Sequence, residues 1–313
     1  MGHFARALSL AVVALPLLAR AQSSFPQIEQ ARQFAPPSST LPRETGGGLS
    51  DFPDGLTEAS PDDAFGAQVL LKEKQKIQPF SAFTEVAAFF TNNVALVDRA
   101  RDEDKFLVIS AGGTFTRQLA PQLRLDLGAR GSVYRYSEFR ELDFQSTDLI
   151  AGLTYTPPVL RGAEVLLRYT FTDLTTAERI REFYKNHAVL VGIQHAYPLA
   201  RAHAVYGGLT AQWSWADPRE TGRDEYVAFA GYRAQLTRSI DADLIYRYGR
   251  YVYRESGNRE DDNQTVSLTF RYVPKPWIAL SATAFYTVNR SSEEVFDYEV
   301  LNAGLSLQFL ARF

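Results

Sequence analysis

Apolar and polar residues alternate along the chain from about residue 80 to its last residue. In one clear stretch Leu123, Leu125, Leu127, Ala129 and Val133 are interleaved with Arg124, Asp126, Gly128, Arg130 and Ser132. Successive side chains of a β-strand point to opposite faces of its sheet. The alternation therefore predicts strands with one apolar face and one polar face.

The same pattern divides residues 80–313 into about twelve segments. It predicts strands near residues 80–92, 106–119, 122–136, 144–156, 163–172, 186–197, 202–215, 225–237, 240–253, 263–273, 277–288 and 298–313. An even number of consecutive strands favours an all-β fold, a transmembrane antiparallel up-and-down β-barrel.

Short and long connections alternate between these strands. The short ones lie near residues 120–121, 157–158, 199–200, 237–238 and 274–276, and the long polar ones span residues 98–105, 137–143, 173–182, 216–224, 255–262 and 289–297. Transmembrane barrels have short periplasmic turns and longer outer loops. An even strand count then predicts that both termini are periplasmic.

Aromatic residues concentrate at the strand ends. They are Tyr134, Tyr136, Trp213, Trp215, Tyr246, Tyr248, Tyr251 and Tyr253 on the loop side, and Tyr155, Tyr197, Tyr272 and Trp277 on the turn side. Two such belts bracket the lipid-facing band of a barrel. The alternative is a soluble β-sandwich, in which these residues would be ordinary cross-strand pairs and the apolar faces would meet each other.

The last predicted strand alternates up to a terminal aromatic residue. Ala303, Leu305, Leu307, Phe309, Ala311 and Phe313 are interleaved with Asn302, Gly304, Ser306 and Gln308. With this strand, residues 80–313 resemble bacterial outer-membrane β-barrel proteins, the porin-like superfamily in general, without matching one particular family.

That resemblance implies a location in the outer membrane of a Gram-negative-type bacterium. It implies that Phe309 and Phe313 belong to the signal read by the barrel-assembly machinery during biogenesis. Outer-membrane lipids and lipopolysaccharide are the further expected partners, with small solutes as possible ones.

The N-terminal part of the chain divides into two predicted segments. Residues 1–21 have the charged, apolar and small-residue order of a signal peptide, with cleavage expected after Ala21. Residues 22–79 are rich in Pro, Gly and Ser and are expected to be a flexible segment. Within them Gln68 to Leu71 is the one apolar stretch. A short strand or a partial plug of the barrel mouth is the alternative there to a linker.

Composition narrows the function classes. The chain has no cysteine, which excludes disulfides and thiolate chemistry. Loss of residues 1–21 removes two of the 33 basic residues and none of the 36 acidic ones, so the mature net charge is −5. This balance does not indicate a nucleic-acid partner.

If the apolar set faces lipid, the opposite set lines the lumen. The lumen-lining candidates are Glu85, Arg124, Asp126, Arg130, Glu164, Arg168, Arg233, Asp241, Asp243, Arg247 and Arg271. One interpretation is a network in which the charges neutralise each other, because charges in a small lumen need partners. The other is a hydrated constriction that filters solutes, and the two are compatible.

Signals for catalysis are sparse. His187, His195 and His203 are expected on the outward face or near a loop, away from the nucleophile that a hydrolase requires. Two acidic groups, Asp102 to Asp104 and Glu260 to Asp262, are expected at solvated loop tips, although carboxylate catalysis or weak cation binding is conceivable for them. No catalytic residue, metal site or cofactor is predicted.

The leading hypothesis is a porin-like channel for passive passage of small polar solutes. A closed barrel that acts as anchor, adhesin or receptor through its loops is the alternative, and a barrel enzyme is the third possibility.

Overall fold

The structure, a computed structural model, describes residues 24–34, 78–160, 162–176 and 181–313. Twelve strands form one closed antiparallel barrel in which each strand pairs with its neighbours in sequence and β1 pairs with β12. The strands are β1 Phe80–Thr91, β2 Asp104–Ala120, β3 Leu123–Tyr136, β4 Phe144–Tyr155, β5 Ala163–Thr176, β6 Glu182–Ala200, β7 His203–Asp217, β8 Asp224–Gln235, β9 Ile240–Tyr253, β10 Arg259–Lys275, β11 Ile278–Ser291 and β12 Tyr298–Arg312. The predicted fold class and strand number are confirmed.

Several strands extend further towards the long loops than the pattern predicts. Strand β5 reaches Thr176, β6 begins at Glu182 and β10 begins at Arg259. The hydrogen-bonded ladder continues there with polar residues on both faces. Outside the lipid band an outward side chain need not be apolar, so the alternation ends before the strand does.

The outer face carries the apolar set. Large side chains that are 36% or more exposed include Val86, Ile109, Leu127, Leu149, Leu167, Val191, Leu209, Leu244, Leu268, Leu280 and Leu305. Along β9 the exposed residues Leu244, Tyr246 and Tyr248 alternate with Asp243, Arg247 and Gly249. Closure of the barrel pairs each strand edge with a neighbouring strand. The backbone groups of the edges therefore have hydrogen-bond partners, which the lipid could not supply.

The barrel has two ends that differ in their connections. We call the end with the short connections the turn end and the end with the long connections the loop end. Three 3-10 turns lie in the long connections, at Arg140–Leu142, Arg219–Thr221 and Glu294–Phe296. Among the described residues, no helix has the length and apolar content to cross a membrane.

Residues 24–34 form a helix, α1, which the sequence pattern did not predict. Five consecutive residues, Gln27 to Ala31, are each 7% exposed or less. Five residues exceed one turn of an α-helix and therefore face all directions around its axis. Helix α1 is thus enclosed on all sides, and its partners are residues of the barrel's inner wall and of the loop end.

Glycines on the inner face make room for aromatic side chains. A Cβ placed on Gly304 of β12 would lie 2.4 Å from the ring of Phe89 and from the Ala88 carbonyl oxygen. Phe89 in turn packs against Phe34 of α1, with ring centroids 4.7 Å apart. Gly112 and Gly208 make room in the same way, because a Cβ there would meet the rings of Phe83 and Phe229.

Candidate functional site: the lumen and its helix

The side chain of Glu29 joins α1 to the barrel wall. Its two carboxylate oxygens accept hydrogen bonds from Nη1 of Arg223 at 2.8 and 3.0 Å. Both side chains are buried, with 4% of Glu29 and 5% of Arg223 exposed. Burial by itself raises the pKa of Glu29, but the charges of Arg223 and Arg32 outweigh it and lower the pKa to about 2. The carboxylate is therefore ionised at neutral pH.

The wall holds Arg223 through three further contacts. Its Nε donates to Glu225 at 2.8 Å, and its Nη1 donates to the hydroxyl of Tyr253 at 2.9 Å. The guanidinium carbon lies 3.9 Å from the ring centroid of Tyr251, which is a cation–π distance. Arg223 directly precedes β8, and the two tyrosines come from the loop end of β9, so two neighbouring strands fix the guanidinium.

A second cation, Arg32 of α1, completes the buried network. Arg32 donates to Glu29 at 2.6 Å, to the hydroxyl of Tyr184 at 3.0 Å and to the carbonyl oxygen of Thr221 at 2.7 Å. Its guanidinium carbon lies 5.6 Å from the centroid of the Tyr184 ring. The charges of α1 are thus satisfied by one another and by the wall, as burial of charges requires.

Both ends of α1 insert a phenylalanine into an aromatic cluster. Phe25 packs edge-on against Phe296 at 5.2 Å and Tyr298 at 6.4 Å. Phe34 packs against Phe89, Phe106, Tyr134 and Phe285, with centroid distances of 4.7 to 6.3 Å. The phenylalanines contact the wall from β11 through β12 to β3, whereas Arg32 and Glu29 contact it at β6 and beside β8, so α1 lies within the lumen near the loop end.

The predicted lumen-lining residues lie on the strand face opposite the exposed apolar set. In β3, Arg124, Asp126 and Arg130 share a face with buried Ser132. In β9, Asp241, Asp243 and Arg247 alternate with outward residues. The remaining candidates occupy equivalent positions in their strands: Glu85 in β1, Glu164 and Arg168 in β5, Arg233 in β8 and Arg271 in β10. Whether they line a conducting path stays a prediction.

Two ion pairs lie near the turn end of the lumen. Arg124 contacts Asp126 at 3.1 Å, and Asp126 also accepts a hydrogen bond from Thr116. Arg233 reaches Asp243 through both Nε and Nη2, at 3.0 and 2.9 Å. Both pairs are charge-assisted, and the second uses two donors of one guanidinium. These contacts match the network interpretation at this level of the barrel.

Between α1 and these pairs the wall is polar. Arg130 donates to Ser110 at 3.0 Å and to the carbonyl oxygen of Phe34 at 3.4 Å, so it marks the lower boundary of α1. Buried Asp148 accepts from Ser146 and Thr172. The wall at this level thus combines a cation, an anion and hydroxyl groups.

Four of the residues expected in the outer aromatic belt lie inside the barrel instead. Tyr134, Tyr136, Tyr251 and Tyr253 are between 2% and 8% exposed. Each has the same parity in its strand as a lumen-facing charge, Arg130 in β3 or Arg247 in β9. Position near a strand end predicts depth but not face, which is why this prediction was wrong. Trp215, Tyr246 and Tyr248 do face outward on the loop side, and Tyr155, Tyr197, Tyr272 and Trp277 do so on the turn side.

His195 and His203 lie on the outward face as predicted, and His187, which was expected near a loop, lies on the same face within β6. His187 is hydrogen-bonded to Tyr169, with 2.7 Å between Nδ1 and the hydroxyl oxygen, and His203 contacts Tyr232 at 2.5 Å. His195 also occupies an exposed position of β6. Each alternates with buried residues of its strand, so none of the three points into the lumen.

Of the two acidic groups expected at loop tips, Glu260 to Asp262 is instead part of strand β10. Asp261 is 1% exposed and pairs with Arg259 at 3.0 Å. The guanidinium of Arg259 lies between the rings of Tyr253 and Phe296, 3.6 and 3.7 Å from their centroids. Asp104 is likewise buried and accepts from backbone N–H groups of the next loop. In the described parts of the chain, no three potential metal ligands are grouped.

Sequence reasoning missed the residues of the loop-end network, namely Glu29, Arg32, Arg223 and Arg259. One signal was present, since Ser24 and Pro26 are typical of the first turn of a helix. The helix has no long apolar stripe, however, because five of its eleven positions are occupied by Gln27, Glu29, Gln30, Arg32 and Gln33. Its burial against a polar wall cannot be read from hydrophobic periodicity.

A closed twelve-stranded barrel with an apolar outer face and a polar inner face is the fold of bacterial outer-membrane β-barrel proteins. An outer-membrane channel from Pseudomonas putida F1 is similar over 82% of this chain and 100% of its own, with 13% identity and a TM-score of 0.52. This likeness establishes the fold.

Two further similar structures are porins. An anion-selective porin from Comamonas acidovorans matches 74% of this chain and 98% of its own, with 9% identity and a TM-score of 0.41. The KdgM porin matches 72% of this chain and 98% of its own, with 8% identity and a TM-score of 0.41. No protein-family model matches the sequence, and the search of curated proteins found no relative.

Proposed function

We propose that the protein is a passive outer-membrane channel for small polar solutes and that α1 closes its loop-end mouth. The observation that carries the proposal is the helix itself. A barrel whose mouth encloses an α-helix and its side chains has an interior about 10–12 Å wide at that level. When α1 leaves, a passage for small solutes opens.

The wall below α1 supports passage of polar solutes. Charged and hydroxyl-bearing side chains face inward at successive levels, from Arg130 and Asp148 to the Arg233–Asp243 pair. Cationic and anionic side chains are both present in the wall, so the channel is expected to discriminate weakly between cationic and anionic solutes.

In the proposed orientation the long loops face the cell exterior and both termini face the periplasm. This follows the usual arrangement of short periplasmic turns and long outer loops. The expected partners are outer-membrane lipids and lipopolysaccharide at the outward face, and the barrel-assembly machinery during biogenesis. No nucleic acid and no cofactor take part.

Planar-bilayer recording of the purified full-length protein tests the proposal. We expect low or intermittent conductance from the wild type and more frequent opening when Glu29→Gln weakens the contact with Arg223. A liposome swelling assay with small sugars would show the same order. If neither the wild type nor Glu29→Gln conducts, the channel function is refuted. A closed barrel that acts through its loops then becomes the better hypothesis.

A further inference from the structure

The position of the Glu29 carboxylate is determined by the barrel wall. At the loop end of β8 and β9, Arg223 contacts Tyr251 and Tyr253 of the wall as well as Glu29 of α1. Glu225 fixes the Nε edge of Arg223, and Tyr251 covers one face of its guanidinium. The Nη1 edge is therefore aimed at the lumen, where both oxygens of Glu29 meet it.

The Nη1 edge of Arg223 favours an anionic acceptor. A buried guanidinium that loses an ionic partner leaves donors without acceptors, which is costly. Carboxylates and phosphates both accept hydrogen bonds from planar guanidinium donors, and the group that meets this edge in the structure, Glu29, is a carboxylate. When α1 leaves, the wall thus presents a site preorganised for a carboxylate.

We infer that Arg223, with Tyr251 and Tyr253, forms a carboxylate-binding site of the channel and that Glu29 occupies it as an internal ligand. A solute that bears a carboxylate competes with Glu29 for Arg223 and so favours release of α1. This inference rests on the proposed channel function, and it assigns both a solute class and a means of opening.

Because Glu29 and Arg223 belong to one chain, a free carboxylate competes with an intramolecular ligand, whose effective concentration is on the order of millimolar. The aromatic contacts of Phe25 and Phe34 further stabilise the docked helix. A free carboxylate therefore acts at tens to hundreds of millimolar by the same reasoning. Propionate is the suitable probe, because it reproduces the end of the Glu side chain, and propionamide reproduces that of Gln.

The absence of cysteine from the sequence allows a direct test. Gln30 is 0% exposed, and its amide has no hydrogen-bond partner among the described residues, so Gln30→Cys removes no polar contact. The full-length variant is exposed to a hydrophilic maleimide, and the labelling rate reports release of α1. Heat-modifiable migration on a gel verifies that the barrel is folded in every sample.

We expect labelling to be several-fold faster in sodium propionate than in a control solution. The control contains sodium chloride and propionamide at the same ionic strength. Adding Arg223→Gln should raise the basal rate and abolish the response to propionate. Adding Arg254→Gln, which removes a more exposed loop-end arginine that pairs with Asp224, should leave the response intact. Equal rates in the two salts, or a response that survives Arg223→Gln, would overturn the inference.

The outcome is separable from that of the proposed function, because labelling does not require conduction. A propionate response without conductance in any variant would retain the carboxylate site and refute the channel. Conductance in Glu29→Gln without a propionate response in the labelled protein would retain the channel and refute the site.

Discussion

The guanidinium of Arg223 donates to both carboxylate oxygens of Glu29, a residue 194 positions earlier in the chain. The contact connects a short N-terminal helix with the loop end of a barrel that is otherwise built from neighbouring strands. Because both partners are buried, each depends on the other for its stability inside the lumen.

Glu29→Gln should increase the open probability of the channel. Removing one partner of a buried ion pair costs about 3–5 kcal/mol, which would raise the released fraction of α1 by about two orders of magnitude or more. Single-channel recording measures the change. Glu103→Gln, at an exposed position before β2, is the matched control and should behave as wild type. An equal open probability in both variants would contradict the closing role of α1.

Fixing α1 to the wall should keep the channel shut. The side chains of Gln33 and Asn302 meet at 3.4 Å, so cysteines at these positions can be bridged by a short bismaleimide. The bridged Gln33→Cys, Asn302→Cys protein should show a conductance below that of the same protein before reaction. Each single-cysteine variant, treated identically, serves as control. Undiminished conductance after complete bridging would show that α1 does not block the passage.

The pH dependence of α1 release should follow the pKa of Glu29. Arg223 and Arg32 lower this pKa from an ordinary 4.5 to about 2 in the docked state. The docking contribution of the carboxylate is therefore complete above pH 4.5 and is lost as the pH falls towards 2. Among the described residues, the charged or titratable groups that interact with Glu29 are Arg223, Arg32, Tyr184, Tyr251, Tyr253 and Tyr298, all in their usual protonated forms over this range.

Recording between pH 3 and pH 8 should show a closed channel that begins to open only below about pH 4.5. This acid-dependent opening should be missing in Glu29→Gln, which is already released at neutral pH. Opening of the wild type between pH 6 and pH 8 would assign the response to another group.

The turn-end ion pair should control ion selectivity. Asp243→Asn leaves Arg233 without its carboxylate partner and should shift selectivity towards anions, whereas Arg233→Gln should shift it towards cations. Reversal potentials in a salt gradient, measured in the Glu29→Gln background, report the shift. The double variant should return to weak selectivity, since the two changes involve one interacting pair. Unchanged reversal potentials would place this pair outside the conducting path.

The C-terminal aromatic residue should matter for assembly more than for stability. The Phe313 N–H donates to the Phe80 carbonyl oxygen at 2.9 Å, while the Phe313 side chain is 67% exposed and buries little surface. Phe313→Ala should therefore reduce the fraction of heat-modifiable barrel in the outer membrane without lowering the unfolding temperature of the barrel that does assemble. Phe309→Ala, on the same outward face, should have a similar effect. Val295→Ala, at an exposed loop position, is the control.

Much of the barrel was predictable because its constraints are local. A strand that separates lipid from a polar lumen must alternate, as Leu244 and Tyr246 do with Asp243 and Arg247. Strand number, order and the outward histidines follow from that alternation and from the lengths of the connections. Strand ends such as Arg259 were missed, because the alternation in hydrophobicity stops beyond the lipid band while the backbone ladder continues.

The sequence by itself determined the strands and which residues of each strand share the apolar face, because period two places residues such as Leu125 and Asp126 on opposite faces. Only the tertiary structure decided that residues 24–34 enter the lumen and that Glu29 meets Arg223. Polar residues carry no periodic signal for a polar wall, and a contact across 194 positions depends on closure of the whole barrel. The local pattern therefore determines the strands and their faces, whereas the site forms only when the barrel closes around α1.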